Sequence, residues 1–291
     1  MLPIKEEDLK KILPSDGPSI SEVKDYLEKY NDEYIVIKCG GSVLEDQNLF
    51  NIFVKDISIL NKLGFIPIIV HGGGKRISNK LKETGVESVF IKGLRVTDAK
   101  TITVVEKVLI EFNKEIVEAL IEKGCKAQPV TSVNNTLISV IKENEELGFV
   151  GIPVKIDLNV INKIVETKNV PVVAPLGVDD RGQTYNINAD TAAGFIAKEL
   201  NARRLIIMSD VEGVLDNNKK LIPELNSKSI KELIDNETIS GGMIPKINNC
   251  LDVASNGVKG VVIIDGRKDH SILFELLSEK GSGTLIRQWK I

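Results

Sequence analysis

Short apolar runs and longer amphipathic stretches alternate along most of the chain. Runs at 34–39, 65–70, 170–175, 205–209 and 260–265 are rich in Val and Ile and predict strands. Between them, apolar positions three and four apart predict helices over 48–63, 75–84, 98–123, 189–200, 243–256 and 270–278. The clearest is 98–123, where Ile102, Val105, Leu109, Phe112, Ile116 and Leu120 share a face, Thr97 caps the start and Gly124 marks the end. Such alternation is the sign of βαβ units around a mostly parallel sheet. Two apolar runs within 137–149, separated by Glu143, Asn144, Glu145 and Glu146, predict a β-hairpin rather than another crossover. Residues 1–30 precede the first strand and carry Pro14, Gly17 and Pro18 but no catalytic pattern. Ser19 and Glu22 form a capping-box pattern, after which Ile20, Val23 and Leu27 fall on one helical face. Such a helix either packs on its own domain or docks on another subunit.

Composition narrows the class. A chain of 291 residues suggests two domains, and 42% hydrophobic residues exclude an obligately disordered chain. With 38 Lys and Arg against 41 Asp and Glu, the net charge of −3 disfavours a basic nucleic-acid binder. Cys39, Cys125 and Cys250 are widely spaced, without any CxxC, which argues against a disulfide framework or a thiolate zinc site. The expectation is reduced thiols and a cytoplasmic location. The N-terminus lacks a signal-peptide apolar core, and no apolar run reaches membrane length, so the chain is expected neither to be exported nor to span a bilayer. Two histidines, His71 and His270, are too few for a polyhistidine metal site.

Chemistry concentrates in glycine-rich turns. Lys38-Cys-Gly-Gly-Ser42 and His71-Gly-Gly-Gly-Lys75 follow the first two strands. Glycines there let backbone N–H groups approach an anion, and the next helix N-terminus adds positive potential, so both turns point to a phosphate site. Gly74-Lys75 is followed by Arg76 rather than Ser or Thr, and no GxGxxG occurs, which disfavours a P-loop NTPase or a Rossmann dehydrogenase. Further clusters fall at turns: GLRVTD at 93–98, YNINADT at 185–191, SDVEGVL at 209–215, SGGMIPK at 240–246 and GSGTL at 281–285. Phosphoryl transfer needs cations and N–H donors fixed around the moving group. Lys38 and Lys246 each stand beside a Gly-Gly pair, and Lys38 ends an otherwise apolar strand. Asp190 opens a helix, either as a carboxylate favoured by the helix dipole or as one that holds two lysines.

In the order KxGGS, HGGGK, GLRVTD, NINAD, SDVxGV, GGMxPK and GxGT, these clusters resemble the amino acid kinase family over about residues 31–291. GLRVTD points within it to the branch whose acceptor is N-acetyl-L-glutamate. The resemblance implies a three-layer αβα sandwich with a mostly parallel central sheet. It implies a helical extension for oligomerisation at 1–30, an acceptor-binding and dimerising lobe at 31–178, and an ATP-binding lobe at 179–291. Lys38 and Lys246 would stabilise the transition state, with Asp190 organising them. Gly41, Gly73 and Gly74 would offer N–H groups to the phosphoryl group and the acceptor. Arg95 would bind the acceptor's α-carboxylate through its planar fork, with Asn186 assisting. Ser209, Asp210, Val211, Glu212, Gly213, Val214 and Leu215, with Thr238, Ile239, Ser240 and Gly242, would line the nucleotide. Mg²⁺ would arrive with ATP and not at a dedicated protein site.

The C-terminal stretch from His270 to Thr284 resembles the signature of arginine-inhibited members, which makes His270, Glu279, Gly281 and Gly283 expected arginine-binding residues. In such members an N-terminal helix links dimers into a hexamer. Here the prolines interrupt that segment, leaving a homodimer or a hexamer open, with helix 98–123 as the basic dimer contact. Some relatives bind a PII signalling protein, a partner on which no residue of this chain decides. The rival readings are a kinase for carrier-linked α-aminoadipate, disfavoured by Arg95, and a catalytically silent arginine sensor, disfavoured by both lysines and Asp190.

Overall fold

The computed structural model describes residues 5–288. Two helices come first, α1 (Glu6–Ile12) and α2 (Ile20–Tyr30), followed by β1 (Tyr34–Cys39), a 3-10 turn at Gly41–Leu44, α3 (Gln47–Lys62), β2 (Ile66–His71) and α4 (Gly74–Glu83). A small ribbon, β3 (Phe90–Ile91) and β4 (Leu94–Arg95), leads into the long α5 (Ala99–Glu122) and β5 (Ala127–Val130). Then come β6 (Ile138–Lys142), β7 (Gly151–Ile156), α6 (Leu158–Glu166), β8 (Val170–Val173), β9 (Leu176–Val178) and β10 (Thr184–Asn186). The remainder is α7 (Ala189–Glu199), β11 (Arg204–Ser209), β12 (Glu224–Leu225), α8 (Ser227–Asp235), α9 (Met243–Ser255), β13 (Val261–Asp265), α10 (Ser271–Leu277) and β14 (Gly283–Ile286).

Among the described residues the central sheet has eight strands in the order β12-β14-β13-β11-β1-β2-β8-β5. Only the β13–β14 pairing is antiparallel, so the sheet is mostly parallel as expected. The two chain halves meet where β11 lies beside β1. Ile35, Ile37 and Cys39 pack on one face with α3, α5 and α10, while Val36 packs on the other with α6, α7 and α9. Period-two alternation along β1 therefore puts Lys38 on the α7 side, and the helices on both faces complete the αβα sandwich.

The hairpin is present but longer than the stretch read from the sequence. Its paired strands are β6 and β7, and residues 147–149 bond elsewhere: Thr97 N donates to Leu147 O and Phe149 N to Thr97 O. Gly148, at φ 71°, makes the turn that releases this segment from the hairpin. Of the N-terminal segment, the described residues 5–30 pack on the chain itself. Ser19 and Glu22 close the capping box that begins α2. Leu9, Val23 and Tyr30 are buried in the core, with the Tyr30 ring edge-on to Phe65 at 5.7 Å. The two-residue strands, edge strand β5, and α6 and α8 were not foreseen, because such short elements carry too few periods to read.

Candidate active site

The two glycine turns sit side by side because β1 and β2 are parallel neighbours in register, with Cys39 opposite His71. Carboxyl ends of strands in such a sheet are where ligands bind. Gly41 has φ 58°, and a Cβ there would stand 2.8 Å from the carboxylate oxygens of Asp210. The Ser42 N–H donates to Asp210 Oδ1 at 3.1 Å. Burial works against that carboxylate's charge, but the Ser42 N–H prevails and Asp210 stays below the ordinary carboxylate range. At Gly73 a Cβ would meet Leu109 Cδ2 at 2.6 Å, so a side chain would drive the turn off α5. His71 is fully buried, and burial pushes its pKa down to about 4. With Asn113 Nδ2 donating to Nε2, the neutral ring donates from Nδ1 to Gly72 O at 2.8 Å and holds the turn.

Lys38, Lys246 and Asp190 converge from three elements. Asn188 caps α7, its side chain accepting from the N–H groups of Asp190 and Thr191. That cap fixes the first turn, where the helix dipole favours the Asp190 carboxylate. Pro245 sits in the first turn of α9, a position that tolerates it, and brings Lys246 across. Asp190 Oδ1 then lies 2.9 Å from Lys38 Nζ in an ion pair, and Lys246 Nζ donates to Oδ2 at 3.3 Å. Burial opposes ionisation of Asp190, yet Lys38 and Lys246 together hold its pKa below the usual carboxylate value. Sequence reading named this trio but missed Asn188 and also Asn249, whose Nδ2 donates to Asp190 O at 3.4 Å. The Asn two residues before an acidic first turn was the available signal for the cap.

Beside the turns lies a cavity of about 320 Å³ whose wall includes Gly41, Gly73, Gly74, Phe90 and Arg95. Arg95 is only 6% exposed, and burial lowers its pKa from the usual arginine value. It donates from Nη1 to Ser88 Oγ and from Nη2 to Gly74 O and Ser78 Oγ. Asn186 ends β10, where its N–H donates to Phe149 O, and is not part of this cavity's wall.

The segments expected at the nucleotide also meet. Ser209 ends β11, Asp210 reaches the first glycine turn, and Glu212 pairs with Lys268 at 3.1 Å beside the exposed Val211. Gly213 has φ 139°, and a Cβ there would stand 2.5 Å from Thr284 Oγ1. Thr284, missed in the sequence as a functional residue, accepts from Val214 N at 2.8 Å and donates to Ile222 O at 2.7 Å. Leu215 bridges to Leu221. Thr238 Oγ1 donates to Asn217 Oδ1 at 3.0 Å, which draws buried Ile239 and the Ser240–Gly242 turn toward the 210–215 loop.

Of the residues expected at arginine, His270 is buried at φ 56°, its Nδ1 2.6 Å from Asp56 Oδ1 and its Nε2 3.4 Å from Asp16 Oδ1. Hydrogen bonding to Asp56 raises the His270 pKa. Exposed Glu279 follows α10, and Gly281 and Gly283 flank Ser282, which turns back so that its N–H meets Glu275 and its hydroxyl meets Ser271 O.

Two cations are bridged by one carboxylate beside two glycine turns, a charge arrangement suited to an anionic group. The chain is 67% identical over 288 residues to the acetylglutamate kinase of Pelagibacter ubique, covering 99% of this chain and 100% of that one. It is 43% identical to the acetylglutamate kinase of Rhodopseudomonas palustris strain BisB18, over 97% of this chain and 99% of that one. A carbamate kinase of Giardia lamblia bound to AMP-PNP shares the fold, with a TM-score of 0.67 at 16% identity over 89% of this chain and 99% of that one. Residues 33–265 match the model of the amino acid kinase family, and with a relative this similar over nearly its whole length, the chain belongs to that family.

Proposed function

We propose that this chain is an acetylglutamate kinase, moving the γ-phosphoryl group of MgATP to the γ-carboxylate of N-acetyl-L-glutamate to give ADP and N-acetyl-L-glutamyl 5-phosphate. That is the second step of arginine biosynthesis. The observation that carries the reading is the Lys38–Asp190–Lys246 bridge at the end of β1. A γ-carboxylate oxygen forms the new P–O bond while the bond to the β–γ bridging oxygen breaks, and ADP leaves with that electron pair. The acceptor, with a reference pKa of roughly 4.3, is already ionised at neutral pH, so no general base is needed. Lys38 and Lys246 meet the charge that spreads over the phosphoryl oxygens, Asp190 keeps them at fixed spacing, and the N–H groups of the glycine turns complete the cradle. Arg95 takes the α-carboxylate from the cavity wall, while Asn186, outside that wall, is assigned to the acceptor by the family resemblance. The 209–215 and 238–242 segments hold the nucleotide, with the metal entering as part of MgATP. Release of ADP that depends on N-acetyl-L-glutamate tests the reading; no turnover above the water background overturns it.

Three finer points belong to the same reading. L-arginine is a feedback inhibitor bound by His270, Glu279, Gly281 and Gly283, a reading that rests on the resemblance of the 270–284 segment to arginine-inhibited members; unchanged activity and thermal midpoint in millimolar arginine would refute it. The chain works in the cytoplasm, a location that follows from its proposed role in amino-acid biosynthesis. It forms homodimers through α5 or a hexamer of such dimers, which light scattering decides.

A further inference from the structure

Two serines grip Arg95 without any other part in the reaction. Ser78, in α4, accepts from Nη2 at 2.9 Å, and Ser88, just before β3, accepts from Nη1 at 2.6 Å. The Gly74 carbonyl takes a second Nη2 hydrogen at 2.9 Å, and the Phe90 ring centre lies 4.6 Å from the guanidinium carbon. Neutral acceptors thus occupy three of the five donors, leaving one on Nη1 and the one on Nε. Among the described residues no carboxylate makes an ion pair with this buried cation: Glu45, which lines the same cavity, pairs with Lys75, and burial lowers the Arg95 pKa.

The kind of partner matters. A carboxylate in place of either serine would hold the fork equally well and cancel its charge, whereas a hydroxyl fixes its plane and leaves the charge for an incoming anion. We propose that Ser78 and Ser88 are positioning residues for the acceptor's carboxylate, setting the Arg95 guanidinium in the cavity wall without neutralising it. This rests on the acetylglutamate kinase reading and carries it to residues that act only through Arg95.

Steady-state kinetics on the full chain test it, varying N-acetyl-L-glutamate at saturating MgATP and then the reverse. Ser78→Ala and Ser88→Ala should each raise the acceptor KM about tenfold, the usual effect of one hydrogen bond to a charged group, with kcat and the KM for ATP near wild type. Ser88→Thr should restore the acceptor KM, and Ser88→Asp should raise it at least as far as Ala does. An unchanged acceptor KM in both Ala variants overturns the proposal. So does failure of Thr to rescue, or a parallel rise in both KM values with a lowered thermal midpoint, which marks a merely structural role. Wild-type enzyme that does not turn over N-acetyl-L-glutamate defeats the functional reading itself, while wild-type turnover with silent serine variants defeats only the positioning role.

Discussion

Asp190 stands 2.9 Å from Lys38, a carboxylate in the first turn of α7 meeting an ammonium from the middle of the central sheet. The same carboxylate holds Lys246, so one group sets the spacing of two cations. Asp190→Asn keeps the shape but leaves two ammoniums to repel each other. Turnover should fall on the order of 10²-fold, as when one preorganised electrostatic contact is lost. Stability should drop by about 1–3 kcal/mol, less than for a fully buried pair because these side chains retain some solvent contact. Kinetics and urea unfolding of the one variant check both, and wild-type turnover would remove Asp190 from its organising role.

Lys246→Ala separates transition-state from ground-state binding. Charge on the phosphoryl oxygens grows as the P–O bond breaks, so a cation there should matter more to kcat than to nucleotide affinity. The expected loss in kcat is about 10²- to 10³-fold with a modest change in the KM for ATP. A variant whose whole defect is a raised KM would make Lys246 a nucleotide-binding residue only.

The central strands and the glycine turns were legible because each carries its own local signal. Val and Ile runs mark β1, β2, β11 and β13, and Lys38 stands out as the one charge in the first of them. What the sequence could not show were contacts between distant segments. Ser78 and Ser88 look like ordinary surface serines until the β3–β4 ribbon folds Arg95 against them. His270 entered as an arginine ligand through the resemblance of the 270–284 segment, while its buried pairing with Asp56, 214 residues away, exists only in the folded chain. Leu147 and Phe149 read as hairpin strand because their apolar character was visible and their bonds to Thr97 were not.

His71 predicts a pH effect of definite sign. Its folded pKa is about 4 because burial disfavours the charged ring, against about 6.5 for a solvated histidine. Above 6.5 folded and unfolded chains are both neutral here, and the contribution is fully present. As pH falls from 6.5 toward 4, the unfolded chain gains a proton that the folded one refuses, and stability drops. From pH 7 to 5 this group alone should cost about 2 kcal/mol. His71→Gln should unfold more easily at pH 7 but lose that part of the slope, as read by urea titrations at both pH values. Asp56, pushed up to about 6 by burial, and His270, raised by its hydrogen bond to Asp56, are present in both chains, so the comparison isolates His71. Equal slopes in the two chains would contradict a buried neutral ring.

Thr284 links the C-terminal strand to the expected nucleotide loop. Its hydroxyl, fully buried, accepts from Val214 N and donates to Ile222 O, so one side chain satisfies a buried donor and a half-buried acceptor. Thr284→Val keeps the volume and orphans both groups, at a cost of about 1–3 kcal/mol for each group left unpaired. Because Val214 belongs to the 209–215 loop, release of its N–H should also loosen that loop and raise the KM for ATP more than the KM for N-acetyl-L-glutamate. Thr284→Ser retains the hydroxyl and should recover most of both effects. If Val lowers stability while leaving the KM for ATP untouched, the 209–215 loop does not hold the nucleotide, and the ATP site must be sought elsewhere along the carboxyl ends of the strands.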